Sequence, residues 1–545
     1  MVYYKVVSYA DELFDELIEE LVRETLKAYP LMGTFLGLHQ YDVLVPELSR
    51  ESVLRWLSLI KEFIRKFESI DASGLTGERV IDFPVLLNQL KIMKVTLEDW
   101  PTWRMYPAGV DVVGSAIFPI IINDWLPQEH KVIAITSRLT QIDKYLGASV
   151  RAVDEPYALW LQYSLIVAQG LISLMETVKS LGKNWGSSEL VTAAEKAEER
   201  IGRATEDIRN LLSRANSGFK PLGKELFKKL LKLQFVGESP DKLKKVGYEE
   251  ASKYRALMQE AAKEMGVSGV EEGLLKLKEA RIASIEEFMT KYNELIGRVR
   301  VFIKQNKIVE LPEGERVKLI NTPEFMRPII PFAAYQNPEL FGPSLTGIYY
   351  VTQPVNEEML SHHNIYDAVN TIVHEAYPGH HTQLVIAKVG AHPRRALINA
   401  PDFVEGWAHY CEELMLEEGI EKSPQYKLKV WHDALWRAVR VYLDVELHTE
   451  GLSYEEGVKK LMIDAYLPEE GAKGEVLRYT LNPTYQLMYN YGKRVIKSLR
   501  EEVKKILGSK YSHSLFHKLL LEEGVLPVNI LKKVVIRKAK SLASQ

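Results

Sequence analysis

The residues best suited to chemistry lie in one stretch, Thr371-Ile-Val-His374-Glu375-Ala-Tyr-Pro378-Gly379-His380-His381-Thr-Gln383. Nine of the thirteen histidines fall between His362 and His448, so imidazole is concentrated around it. Imidazole nitrogen is the commonest protein ligand for zinc, and a carboxylate beside it can take a proton from metal-activated water. In the His-Glu-x-x-His pattern two imidazoles sit one helical turn apart and face one ion. Here Pro378 stands where the second histidine belongs, so a regular helix must bulge or break. An undisturbed helix would carry His380 off the face of His374 and leave His381 two turns, about 10 Å, along the axis. A Pro-Gly bulge would bring His380 back, which makes His380 the preferred ligand and His381 the alternative. The candidate third ligand is Glu405, in Asp402-Phe-Val-Glu405-Gly406-Trp407-Ala-His409-Tyr410. The spacing leaves room for a turn around Gly390 to Pro393 and a second helix alongside the first. His409 shares the helical face of Glu405 and is a candidate to orient a ligand or touch substrate.

These residues need helices to hold them, and helical periodicity dominates the chain. Ala10 to Tyr29, Ser187 to about Ala215, Tyr248 to Met265 and Leu277 to Asn306 all read as helices with one apolar face. The texture changes near residue 310 to a Pro- and aromatic-rich stretch. That stretch ends in Thr346-Gly347-Ile-Tyr349-Tyr350-Val351-Thr352, the best strand candidate. The expectation is a mostly α protein with a helical lobe over 1–310 and a metal-binding lobe over 311–545, across a soft boundary; one interleaved domain is the other reading.

At 545 residues with 46% hydrophobic and 26% charged residues, the composition is that of a globular protein large enough for two lobes. A net charge of -3 gives no reason to expect nucleic acid or an anionic membrane as partner. The single cysteine, Cys411, excludes an intramolecular disulfide and a cysteine-based zinc cluster. The N-terminus runs into an acidic helix without the pattern of a signal peptide, and Ala158 to Val178 is interrupted by Gln162, Gln169 and Glu176. A cytoplasmic protein is expected, and the abundance of Glu and Lys fits a thermophilic source.

At His374 to Gln383 and Glu405 to Tyr410 the chain resembles the family known as domain of unknown function 885, with its His-Glu-x-x-Pro-Gly-His-His-x-Gln and Glu-Gly-Trp-Ala-x-Tyr motifs. The likeness extends to Arg437-Ala-Val-Arg440 through Asp444 and His448, to Tyr485 through Gly492, and to Pro30 through Asp42, which includes His39. His409 departs from the aliphatic residue usual before Tyr410. More distantly, Gly379-His380 and Asp402-Phe-Val-Glu405 are similar to segments of the thimet oligopeptidase group of zinc peptidases. That likeness implies His380 and Glu405 as ligands. It also implies a zincin-like, neurolysin-like helical body of two lobes about a deep groove, with a small β-sheet near the metal.

The expected function is a zinc metallopeptidase of carboxypeptidase or oligopeptidase type acting on short peptides, with one ion on His374, His380 and Glu405. The same ligands would accept cobalt or manganese. Glu375 would move the proton. Tyr489 and His448 are candidate oxyanion donors, with Asp444 placed to orient His448. Arg437 and Arg440 are candidates to receive a substrate carboxylate. The strand carrying Tyr350 would hold an extended peptide by backbone hydrogen bonds. The alternative is a non-catalytic metal- or peptide-binding protein. A di-iron bundle would need two Glu-x-x-His motifs, which the sequence lacks. His362-His363 receives no role, and the oligomeric state is open.

Overall fold

Serine side chains open many of the helices. Ser8, Ser187, Ser239, Ser284, Ser423 and Ser453 each accept the backbone N–H three residues on. Pro240 and Pro424 follow such caps in the first turn, where a missing N–H costs nothing. These signals set the helix Pro240–Glu264 earlier than its apolar pattern predicts. They also divide the expected Leu277 to Asn306 helix. Val270–Leu277 ends in a 3-10 turn, and Ser284 starts Ile285–Gln305 afresh.

The structure is a computed structural model, and it describes residues 8–327, 330, 332–360, 363–390, 395 and 397–545. The residues behind the signal-peptide reading (1–7), His362, and 391–393 of the expected turn lie outside the described residues. The fold is mostly helical with one three-stranded sheet among the described residues, as the mostly α reading expects. The largest core cluster takes residues from both sides of residue 310, from Ala10 to Ala539. Pro240–Glu264 packs along the long helix Pro424–Thr449, where Tyr248 and Tyr442 stack with ring centroids 4.0 Å apart. Ala158–Asn184 is long and apolar enough to cross a membrane by length and composition. Here it buries Trp160, Leu161, Leu171 and Leu174 and packs against Ser188–Leu212.

The strands are β1 (Arg316–Asn321), β2 (Ala333–Gln336) and β3 (Thr346–Val351). β3 is the expected strand but lies in the centre, parallel to β1 and antiparallel to β2. Both its edges are therefore paired, which corrects the expectation that it holds a peptide through its backbone. β1 and β2 were hidden by the prolines and aromatics around them.

Candidate metal centre

The helix Ile365–Glu375 begins at Asn364, whose side chain caps Asp367, and delivers His374 in its last turn. It then breaks rather than bulges. Ala376 and Tyr377 both donate to Ile372 O, the Gly379 N–H returns to Val373 O, and a new helix, His380–Val389, starts at once. A Cβ on Gly379 would lie 1.9 Å from His374 O, so only glycine lets the chain fold back so closely. The break turns His380 towards His374, their rings edge to face with centroids 4.9 Å apart.

The second motif is built on Pro401–Glu417 and grips the first. Trp407 Nε1 donates to Pro378 O at 2.9 Å and Gly379 O at 3.2 Å, and Gln383 donates to Phe403 O. This sets Glu405 Oε2 3.4 Å from His380 Nε2 and 3.7 Å from His374 Nε2. Donor atoms about 2.1 Å from one tetrahedral ion lie about 3.4 Å apart, so the three fit a shared zinc. Two further observations agree. Glu405 Oε2 is buried without a hydrogen bond, a costly position for an anionic oxygen unless a cation meets it. The other oxygen, Oε1, is held by the Tyr485 hydroxyl, which fixes the direction of the free one.

Behind His374 stands Glu412, which sequence reasoning missed. Its Oε1 lies 2.6 Å from His374 Nδ1, leaving Nε2 for the cluster. Glu412 is fully buried, with Arg437 Nη2 at 3.2 Å and Asn370 Nδ2 at 3.3 Å. Burial opposes charge on Glu412, but Arg437 and the neighbouring histidines hold it well below the usual carboxylate range. Burial likewise opposes a charged His374, yet Glu405, Glu412 and Glu375 push its pKa up to about 9. Surroundings that favour an imidazolium also favour a metal cation. Glu375 is half-buried and has no hydrogen-bond or ion-pair partner among the described residues.

Tyr485 and Tyr489 approach Glu405 because Gly406 and Gly492 let two helices touch backbone to backbone. A Cβ on Gly492 would lie 1.7 Å from Asp402 O. The Tyr489 ring lies nearly parallel to His374 at 6.2 Å, and burial pushes its pKa up to about 12.

Other candidates sit elsewhere. His381 turns away, with Nε2 2.8 Å from Glu315 Oε2 and Nδ1 2.9 Å from the Tyr335 hydroxyl. His448 is wholly buried among Trp100, Phe219 and Phe227; its Nε2 meets Tyr479 O and burial lowers its pKa to about 4. Asp444 lies 3.9 Å from it but spends a carboxylate oxygen on Thr484 N. His409 is also wholly buried, packed against Glu412 at 3.6 Å. Tyr350 faces Phe118 and donates to Gln336; Tyr349, on the opposite face of β3, is wholly buried and feels the charge of Glu375. Arg437 is committed to Glu412 and Asp433, and Arg440 to Glu475 and the Tyr479 hydroxyl. His363 packs edge-on against Phe288.

A family model described as "Bacterial protein of unknown function (DUF885)" matches residues 30–535. No curated protein matches the chain. Two solved structures share the fold along the whole chain. One is described as a "putative lipoprotein of unknown function" from Shewanella oneidensis, 21% identical, covering 96% of this chain and 99% of that one with a TM-score of 0.76. The other is a "putative lipoprotein" from Colwellia psychrerythraea, 20% identical, covering 98% and 100% with a TM-score of 0.83. Both descriptions overturn the cytoplasmic expectation drawn from the N-terminus.

Proposed function

The chain belongs to the DUF885 family, and from that premise and the geometry of its centre we propose that it is a zinc-dependent metallopeptidase acting on short peptides. The observation that carries the reading is the convergence of His374 Nε2, His380 Nε2 and a buried Glu405 Oε2 that accepts no hydrogen bond. Zinc bound there would supply Lewis acidity for a water molecule and for the scissile carbonyl. Cobalt or manganese would suit the same donors.

The chain's own residues do the rest. Glu412 keeps His374 in the tautomer that frees Nε2, and Tyr485 keeps Glu405 Oε2 turned inwards. Glu375, next to His374, takes the proton of the attacking water and returns it to the leaving amine. The Tyr489 hydroxyl donates to the developing oxyanion. β2 packs beside the Ile365–Glu375 helix, and among the described residues it pairs only with β3. Its outer edge is thus the backbone suited to an extended peptide. A zincin-like body, two lobes about a groove, goes with this proposal.

With Arg437 and Arg440 committed, the cation suited to a substrate carboxylate is Arg478. It shares Glu475 with Arg440, so two guanidiniums divide one carboxylate, and its charge is felt by Tyr485 and Tyr489. Its side chain is 32% exposed.

The test compares wild type with Glu375→Gln after zinc loading, against a mixed library of short peptides. Turnover by wild type, with a rate at least about 100-fold lower in the variant at equal zinc content, is the expected result. Zinc-loaded wild type that cleaves no peptide would sink the proposal and leave a binding role.

A further inference from the structure

His39 and Asp42 belong to the N-terminal motif that the proposed reaction does not use, and they lie together with His130 from the helix Gln128–Thr140. Asp42 Oδ2 is 2.9 Å from His39 Nδ1 and 2.9 Å from His130 Nε2. Asp42 is wholly buried, and its other oxygen accepts from the Thr34 hydroxyl at 2.7 Å, which in turn receives an N–H of Arg138. One carboxylate oxygen is pinned by a hydroxyl, and the other is aimed between two imidazoles. Glu405 is held in the same way, with Tyr485 in the place of Thr34.

The likeness continues behind the histidine. His39 Nε2 faces Glu339 Oε2 at 3.4 Å, yet both atoms are buried without a hydrogen bond, while Asn123 holds Glu339 Oε1 at 2.8 Å. If the proton of neutral His39 sits on Nδ1 to serve Asp42, Nε2 and the carboxylate are two acceptors facing each other. A cation on Nδ1 moves the proton to Nε2, which then donates to Glu339. That is the relation Glu412 bears to His374.

We propose that His39, Asp42 and His130 form a second divalent-metal site, with Glu339 orienting His39. Opening each 2.9 Å contact by about 0.5 Å gives the spacing of donors on one zinc. His39 and His130 have the freedom to do so, their side chains being 24% and 33% exposed, and that exposure leaves a route for the ion and a position for water. Arg138 and Lys388 offset the two carboxylates, so affinity rests on imidazole nitrogen rather than net negative charge. This selects zinc-like ions over magnesium or calcium. The ion would brace the N-terminal segment against the β2–β3 connection. Lys388, on the helix that begins at His380, binds the Glu339, Gly342 and Ser344 carbonyls of that connection.

The experiment is elemental analysis of full-length protein, dialysed against a small excess of zinc over two equivalents with magnesium and calcium present, for wild type, His130→Ala, His374→Ala and the double variant, with circular dichroism as a check on folding. Wild type should carry about two ions per chain, each single variant about one, and the double variant none. If His130→Ala unfolds, His130→Asn serves in its place. One ion in wild type that His374→Ala abolishes would overturn the second site and leave the proposed metal centre standing. One ion that His130→Ala abolishes and His374→Ala keeps would support the second site and remove the first. Magnesium or calcium bound in preference to zinc would overturn the ion class.

Discussion

Replacing Glu412 by Gln should loosen the metal centre without touching any of its proposed ligands. Glu412 Oε1 lies 2.6 Å from His374 Nδ1, a charge-assisted contact that raises the basicity of Nε2 and fixes the ring. Carboxylates in this position change metal affinity by about 10–100-fold, which is about 1.4–2.7 kcal/mol. The substitution also takes the main charge partner from Arg437. Stranding a buried charge costs about 3–5 kcal/mol, but Asp433 stands 3.6 Å from another Arg437 nitrogen, so a loss of about 1–3 kcal/mol in fold stability is expected. Stability and affinity must therefore be separated, and Glu413→Gln does this. Glu413 is the next residue and nearly as buried, but it faces away to Lys493, Lys497 and Tyr254. The assay is a chelator competition for the ion that His374→Ala removes, with urea unfolding of the metal-free proteins beside it. Glu412→Gln should weaken zinc by about 10–100-fold and Glu413→Gln by less than about threefold, although both lose stability. Unchanged zinc affinity in Glu412→Gln, or equal losses in the two variants, would refute the orienting role.

Two more outcomes follow from groups around the centre. Burial pushes the Asp402 pKa up to about 7, against the hydrogen bonds from Val528 and Phe403 N–H groups, so the folded protein holds this proton more tightly than the unfolded chain does. Its contribution is complete below pH of about 4 and is lost as pH rises through about 7, at up to about 1.4 kcal/mol per unit. Asp402→Asn should flatten that part of the profile of unfolding free energy against pH; an unchanged slope would count against it. Arg478→Met should raise KM by about 10–100-fold for peptides with a free C-terminal carboxylate and leave amidated ones unaffected, the value of a charge-assisted hydrogen bond. Equal effects on both substrates would deny Arg478 that contact.

What the sequence made legible follows how far apart the cooperating residues lie. Proline's missing N–H and clash announce a break after Glu375, which makes His380 the preferred ligand and leaves His381 as the alternative. Which side chains meet across helices was another matter. Glu412 and Glu413 are adjacent acids on one helix, and nothing local says that one faces His374 and the other Lys493. Asp444 and His448 share a helical face and so read equally as a catalytic pair or an ordinary i,i+4 pair, and the rings that enclose His448 come from Trp100, Phe219 and Phe227, more than two hundred residues upstream. Which of Arg437 and Arg440 is ion-paired was hidden for the same reason, since the acid that neutralises Arg440 is on another helix. Alternation identified β3, whereas its central place depends on two strands with weak patterns of their own. The N-terminal His39 and Asp42 are the extreme case. Three residues apart, they look like an ordinary polar turn, and only the fold adds His130 from one helix and Glu339 from the sheet connection. A histidine next to an acid in sequence is therefore weak evidence of chemistry. An acid with one oxygen pinned and the other turned, buried, between two imidazoles is stronger; at Glu405, where that oxygen accepts no hydrogen bond, leaving it without a cation also costs the fold free energy.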